Sequence, residues 1–224
     1  MRKLSNIKVL IWDFDGTFYP LTSDLTRAME EEQYATIMRH KTWDREKAKE
    51  EFWKVYPATT TSGNAAVGIV CGIPTALAAR ESETNYDRLK FVHRDPKLIA
   101  MFETLRNFRH FVLGNGVRAK LEIAARGLGI PDGTFEEIVT SEVTGVNKPE
   151  TAGYLYILGK TGCKPDSHLM IGDREVVDLA PAKKVGMHTC LVAWGSVYPE
   201  LSHPGSSVDV TVPTVYDIAG VVLG

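Results

Sequence analysis

Short runs of hydrophobic residues along the chain alternate with stretches in which hydrophobic residues recur at helical spacing. Residues 9–12 are four consecutive apolar residues, two of them β-branched, which is typical of a buried strand of a parallel sheet. Further strand candidates lie at residues 110–113, 135–139, 168–171, 189–192 and 208–212. Because helical patterns separate these runs, the sequence predicts an α/β fold with a doubly wound, mainly parallel sheet.

The region between the first two strands has a different pattern. Leu25, Met29 and Ile37 recur at near-helical spacing after Thr22 or Ser23, and Asp44 precedes a second helical stretch. These polar residues are good helix N-caps. The sequence therefore predicts a helical domain over residues 18–95, inserted into a core domain formed by residues 1–17 and 96–224.

Two carboxylates follow the first predicted strand. Asp13 and Asp15 are two residues apart, so their side chains leave an extended chain on the same side. Gly16 comes next, where a tight turn needs a residue without a Cβ. Ligands of open α/β sheets bind at the carboxyl ends of the strands, which makes this a candidate site. The alternative is a strand that simply ends in a solvated turn.

Three other segments carry candidate groups at strand ends or helix starts. They are Gly114-Asn115-Gly116, whose backbone N–H groups are suited to a phosphate, Lys148 before Pro149, and Gly172-Asp173 with Asp178 five residues after Asp173. Each also has a simpler interpretation: glycine-rich turns are common, a lone lysine is usually solvated, and an aspartate at a helix N-terminus is favoured there anyway.

Composition limits the partners of the chain. The 224 residues have a formal net charge of −2, with 44% hydrophobic and 24% charged residues, so nothing favours a nucleic acid polymer or an anionic membrane as partner. The three cysteines, Cys71, Cys163 and Cys190, are widely spaced. They argue against a disulfide framework or a thiolate zinc site and lead us to expect a cytoplasmic protein. The sequence gives no indication of an oligomeric state.

The order of these motifs resembles that of the haloacid dehalogenase superfamily of phosphohydrolases. Asp-x-Asp-Gly-Thr is followed by a glycine-rich turn, then Lys-Pro, then Gly-Asp-x-x-x-x-Asp. The helical insert is similar to the cap that this superfamily places after its first motif. Residues 15–20 and 86–93 further resemble the branch that contains the pyrimidine 5′-nucleotidases.

The resemblance implies a role for each acid. Asp13 is expected to be the nucleophile that takes the phosphoryl group as an aspartyl phosphate. Asp15 is expected to protonate the leaving alcohol and then to deprotonate the attacking water. The resemblance also implies Mg²⁺, a hard cation that prefers oxygen ligands. Its expected ligands are Asp13, the backbone carbonyl of Asp15, and Asp173. Asp178 is not expected to bind the ion directly but to orient Lys148 or a metal-bound water.

The remaining implied roles concern the phosphate and the leaving group. Lys148 and the amides of Gly114 and Asn115 are expected to hold the non-reacting phosphate oxygens. Gly114 departs from the family pattern, which usually places Thr or Ser there; losing such a donor costs on the order of 3–4 kcal/mol in other enzymes. Thr17 is a candidate substitute donor. The candidates for substrate specificity, all expected near the leaving group, are Tyr19, Tyr86 and Arg88.

The leading hypothesis is therefore a Mg²⁺-dependent phosphatase that acts on a small phosphate monoester, for example a nucleoside monophosphate. A sugar phosphomutase of the same superfamily would use the same acids and return the phosphoryl group to a sugar. A dehalogenase fits poorly, since that branch lacks an acid at the position of Asp15. A degenerate phosphatase fold used for binding is the alternative that Gly114 favours.

Overall fold

The computed structural model describes residues 3–59, 62–194 and 205–223. Within these residues, six strands form one sheet in the order β3-β2-β1-β4-β5-β6, and every neighbouring pair is parallel. The predicted α/β class is confirmed. The strands are β1 (Val9–Trp12), β2 (Arg109–Leu113), β3 (Glu137–Val139), β4 (His168–Gly172), β5 (His188–Val192) and β6 (Val210–Val212).

Helices cover both faces of the sheet and also form the insert. The insert contains α1 (Ser23–Lys41), α2 (Arg45–Thr59), α3 (Gly63–Cys71) and α4 (Thr75–Ser82). The later helices are α5 (Pro96–Thr104), α6 (Arg118–Leu128), α7 (Ser141–Thr144), α8 (Ala152–Thr161), α9 (Ala180–Lys184) and α10 (Ile218–Val222). None of the described helices is both long enough and apolar enough to cross a bilayer.

The central strand β1 is buried on both faces because each face packs against a separate hydrophobic cluster. Leu10 and Trp12 belong to the larger cluster, and Val9 and Ile11 belong to the second one on the opposite face. All four side chains are inaccessible to solvent. This burial explains the continuous apolar run in the sequence, since a strand with one wet face would alternate.

The helices α1–α4 pack around a small core of their own. Tyr34, Ile37 and Phe52 are among its buried members. The Oγ1 of Thr22 accepts a hydrogen bond from Leu25 N (3.2 Å) at the start of α1, so Thr22 is the cap of the two candidates, Thr22 and Ser23. The chain thus combines a Rossmann-like core with a helical cap. The boundaries at 17/18 and 95/96 stay a prediction, and Phe18 packs in the main core.

Two helix starts near the sheet edge differ from the sequence prediction. The helix expected to open at Lys148-Pro149 begins only at Ala152, after a cis Lys148–Pro149 peptide bond. The helix expected directly after β4 starts as one π-helical segment over Glu175–Leu179 and becomes α-helical at Ala180. Hydropathy does not reveal such a local widening. Within it, the Tyr154 hydroxyl donates to the Asp178 carbonyl (2.7 Å).

Candidate active site

The carboxyl ends of the parallel strands bring Asp13, Lys148 and Asp178 together. Asp13 directly follows β1, and its N–H donates to the carbonyl of Ile171 on β4 (2.8 Å). Lys148 Nζ lies 2.6 Å from Asp13 Oδ1 and 2.8 Å from Asp178 Oδ1. All three side chains are at least nine-tenths buried. One ammonium therefore bridges two carboxylates that would otherwise repel each other.

The turn after Asp13 holds this carboxylate from its other side. Thr17 Oγ1 donates to Asp13 Oδ2 (3.0 Å), so this hydroxyl is already engaged. Gly16 has φ +89°, and a Cβ there would lie 2.4 Å from Asp173 Oδ2. The position therefore needs glycine both for its backbone conformation and for the close approach of Asp173. Trp194 Nε1 donates to the Gly16 carbonyl (3.0 Å) and braces the turn.

Asp173, at the end of β4, is the acid whose surroundings point to a cation. Its side chain is 2% exposed, and neither carboxylate oxygen has a hydrogen-bond donor among the described residues. Oxygens of Asp13, Asp173 and Asp178 all lie within 4.8 Å of one another. A buried carboxylate without donors is costly. An all-oxygen set of this kind matches the ligand preference of Mg²⁺.

In the absence of a cation, two of these acids, Asp13 and Asp173, have raised pKa values. Burial, together with the charge of Asp13, raises the pKa of Asp173 well above its usual value. Burial also raises the pKa of Asp13, although Lys148 opposes the shift. Burial alone would lower the pKa of Lys148, but the charges of Asp13 and Asp178 outweigh it and raise the pKa. The ammonium thus remains protonated.

Asp15 lies in a separate charged environment. Arg88 Nε donates to its Oδ1 (3.1 Å) and Arg88 Nη2 to its Oδ2 (2.9 Å), and the hydroxyl of Tyr19 donates to Oδ1. Burial raises the pKa of Asp15, but the charge and hydrogen bonds of Arg88 and the hydroxyl of Tyr19 bring it below its usual value. In this state Asp15 is ionised.

The glycine-rich turn after β2 departs from the expected phosphate cradle in one respect. The N–H of Gly114 donates to the Val139 carbonyl on β3 (3.0 Å), so this amide is not a free donor for phosphate, which corrects the expectation for Gly114. A Cβ at Gly114 would lie 2.6 Å from Leu121 Cδ1. Leu121 thus fills the space that a Thr or Ser side chain would need.

Asn115 contacts the segment that carries Lys148. Its Oδ1 accepts from the N–H of Lys148 (2.8 Å), and its Nδ2 donates to the Lys148 carbonyl (3.2 Å). These two bonds fix the backbone from which the lysine reaches Asp13. Asn115 also lines the cavity, and its N–H stays a predicted phosphate ligand.

A cavity of about 100 Å³ opens beside Asp13 and Asp15. Its walls include polar residues that the sequence did not single out: Gln33, Ser62, Asn64, Glu83 and Arg174. Most of them come from the cap, where no motif or spacing marks them. Arg88 lines this cavity, whereas Tyr19 and Tyr86 are not among its described lining residues. The specificity roles of these three residues stay predictions.

The chain is similar in sequence to known hydrolases. A family model described as haloacid dehalogenase-like hydrolase matches residues 7–186. A glyceraldehyde 3-phosphate phosphatase of Methanothermobacter thermautotrophicus is 32% identical over 108 residues, which are 48% of this chain and 47% of that protein. Human haloacid dehalogenase-like hydrolase domain-containing protein 2 is 32% identical over 118 residues, 45% of this chain and 46% of that protein. These alignments span about half the length of each relative.

Solved structures show the same fold. A HAD phosphatase from Thermococcus onnurineus superposes with a TM-score of 0.67 at 19% identity, covering 97% of this chain and 98% of the other. The L-2-haloacid dehalogenase from Xanthobacter autotrophicus gives 0.61 at 17% identity, covering 97% and 99%. The predicted superfamily is confirmed by the family match: the chain belongs to the haloacid dehalogenase-like hydrolases.

Proposed function

We propose that the protein is a Mg²⁺-dependent phosphatase of small phosphate monoesters and that Asp13 is its nucleophile. The observation that carries the proposal is the position of Asp13. Its carboxylate is oriented by Lys148 (2.6 Å) and Thr17 (3.0 Å), lies beside the donor-free Asp173, and lines the cavity. A fixed carboxylate next to cationic groups is the arrangement that in-line phosphoryl transfer requires.

The chemistry divides into two displacements at phosphorus. In the first, an Asp13 oxygen forms a bond to phosphorus while the ester P–O bond breaks, and the leaving oxygen takes a proton from Asp15. In the second, a water oxygen attacks the aspartyl phosphate and gives a proton to Asp15. Inorganic phosphate leaves, and the Asp13 carboxylate is regenerated. Lys148 neutralises charge on the phosphoryl oxygens in both displacements.

Asp15 must therefore carry a proton in the first displacement and lack one in the second. Its contacts with Arg88 and Tyr19 favour the ionised form, which is the form that accepts the proton from water. A bound phosphate dianion beside Asp15 opposes this by like-charge repulsion, which favours the protonated form. Bound phosphate thus favours protonated Asp15 for the first displacement, and the contacts with Arg88 and Tyr19 favour ionised Asp15 for the second.

Asp13 and Asp173 fit Mg²⁺ by their oxygen chemistry and their mutual distance. With the backbone carbonyl of Asp15 they would form the ligand set. Asp178 instead has its oxygens near Lys148 Nζ (2.8 Å) and the N–H of Arg174 (3.0 Å), so it would act by orienting Lys148. When bound, Mg²⁺ neutralises the phosphate and stabilises the charge that develops during transfer.

Two observations favour a substrate of few carbon atoms. The cavity is about 100 Å³, whereas sites for drug-sized ligands typically span about 300–1,000 Å³. Relatives from four archaea are named glyceraldehyde 3-phosphate phosphatase. We therefore place triose-sized phosphate esters first and nucleoside monophosphates second as substrates of this chain.

The test is phosphate release from a panel of triose phosphates, glycerol phosphates, sugar phosphates and nucleoside monophosphates, with Mg²⁺ and with chelator. Wild-type protein should release phosphate only with Mg²⁺, most rapidly from the smallest esters, and Asp13→Asn should release none. Asp24→Asn, at an exposed aspartate of α1, is the matched control. Phosphoryl transfer to a sugar without phosphate release would instead identify a mutase, and a folded protein inactive on the whole panel would contradict the proposal.

A further inference from the structure

Arg88 shares its guanidinium between two carboxylates, and this arrangement has a consequence for the reaction. Besides its two bonds to Asp15, Arg88 donates from Nη1 to Glu83 Oε2 (2.6 Å). The Arg88 and Glu83 side chains are only 3% and 7% exposed. Burying three charged groups at the wall of a cavity is unfavourable unless their geometry is good. We call Asp15, Glu83 and Arg88 the acid-anchoring triad.

The chain around the triad is built to hold Arg88 and Glu83 in place. A Cβ on Gly116 would lie 2.9 Å from Glu83 Oε1 and 3.2 Å from Arg88 Nη2, so the glycine-rich turn packs directly against the pair. Asn64 Nδ2, on α3 of the cap, lies 3.4 Å from Glu83 Oε1 and 3.2 Å from the Asn115 carbonyl. The triad thus joins the cap, the turn after β2, and the strand end that carries Asp15.

We propose that Arg88 is a positioning residue, which fixes the plane of the Asp15 carboxylate for proton transfer with Glu83 as its anchor. The inference rests on the proposed function. A guanidinium forms two parallel bonds to one carboxylate, and such a fork fixes direction as well as distance. An ammonium at the same position would keep the positive charge but lose the fork. Arg88→Lys therefore separates the charge of Arg88 from its geometry.

The two displacements respond differently to a misplaced Asp15. When p-nitrophenyl phosphate is the substrate, the leaving phenolate needs no proton, so the first displacement proceeds without help from Asp15. The second displacement still needs Asp15 to deprotonate water. A misplaced Asp15 should therefore slow turnover while the aspartyl phosphate continues to form. A residue that merely stabilises the fold, or one that binds the phosphate, would not slow turnover while leaving formation of the aspartyl phosphate intact.

The experiment measures kcat, kcat/KM and the pre-steady-state release of p-nitrophenolate with Mg²⁺ present. In Arg88→Lys we expect kcat to fall about 10- to 100-fold, kcat/KM to stay within about threefold, and a burst of about one p-nitrophenolate per protein molecule. Asp15→Asn should give the same signature more strongly. Arg80→Lys, at an exposed cap arginine (68% exposed), should behave like wild type.

Gly116→Ala is a second variant, which displaces Arg88 and Glu83 without changing any charge. It should also lower kcat while leaving kcat/KM nearly unchanged. Equal losses in kcat and kcat/KM without a burst, or wild-type kinetics in both variants, would overturn the positioning role. Circular dichroism establishes that each variant is folded. A wild-type protein without Mg²⁺-dependent hydrolysis would instead overturn the proposed function itself, so the two failures are distinguishable.

Discussion

Two buried charge clusters flank the end of β1, and they are built in different ways. The nucleophile cluster of Asp13, Lys148, Asp173 and Asp178 comes wholly from the Rossmann-like core. Asp13 and Asp173 directly follow strands, Asp178 lies in the π-helical segment after β4, and Lys148 lies between α7 and α8. The parallel sheet determines the positions of these residues, because it places the carboxyl ends of the strands side by side.

The acid-anchoring triad, in contrast, depends on the cap. Arg88 lies 73 positions after Asp15 and Glu83 lies at the end of α4. Their placement follows from how the insert returns to the core, and not from the sheet. One carboxylate of the Asp-x-Asp pair is thus fixed by the sheet and the other by the inserted cap. Variants at the two clusters test this difference.

The largest effect is expected at the nucleophile. Asp13→Asn should lower kcat by about 10³-fold or more, because the neutral amide cannot form the aspartyl phosphate. Steady-state kinetics on p-nitrophenyl phosphate measure this, with Asp24→Asn at an exposed position as the control. Residual activity within tenfold of wild type would show that Asp13 is not the attacking group.

Removing the Lys148 ammonium, which pairs with both Asp13 and Asp178, should lower stability more than the other substitutions do. Lys148→Met leaves Asp13 and Asp178 buried next to each other without the ammonium, a loss of about 3–5 kcal/mol for a buried ion pair. Lys54→Met, which breaks exposed pairs on α2 (54% exposed), should leave stability nearly unchanged. Urea unfolding measures both. Equal losses would mean that burial does not set the strength of these pairs.

The difference between the two clusters also explains which site residues the sequence could predict. The sequence singles out Asp13, Asp15, Asp173 and Asp178 because each belongs to a motif within a few residues of a strand, where local pattern determines position. The sequence does not single out Glu83, and it places Arg88 only near the leaving group. Arg88 meets Asp15 across 73 positions of sequence, and an arginine at the start of a short 3₁₀ helix looks in the sequence like any solvated charge.

The glycine-rich turn tests whether the missing hydroxyl at Gly114 reflects packing or lost catalysis. Gly114→Ser should destabilise the fold by about 1–3 kcal/mol, because its Cβ would overlap Leu121 Cδ1 at 2.6 Å. Adding Leu121→Ala should offset part of that loss, so the two changes should be non-additive. Thermal unfolding of both single variants and the double variant measures the coupling. Strict additivity would show that Leu121 does not restrict this position.

The smallest effect concerns Asp173, where a cation and a proton compete for the same oxygens. In metal-free protein, Asp173→Asn should raise the melting temperature by about 2–4 °C, roughly 1 kcal/mol for a chain of this size. It removes a buried carboxylate that has no hydrogen-bond donor and that lies beside Asp13. Asp132→Asn, in an exposed turn, is the matched control.

The sign of the pH dependence follows from the raised pKa of Asp173. Above the usual pKa of about 3.9, folded protein holds a proton that unfolded protein releases, so stability falls as pH rises toward the folded pKa. Metal-free wild type should therefore lose more stability between pH 5 and pH 8 than Asp173→Asn does. Mg²⁺ should reverse the ranking, since it stabilises only the protein that binds it. A melting temperature of wild type that is insensitive to Mg²⁺ throughout this pH range would contradict a cation site at Asp173.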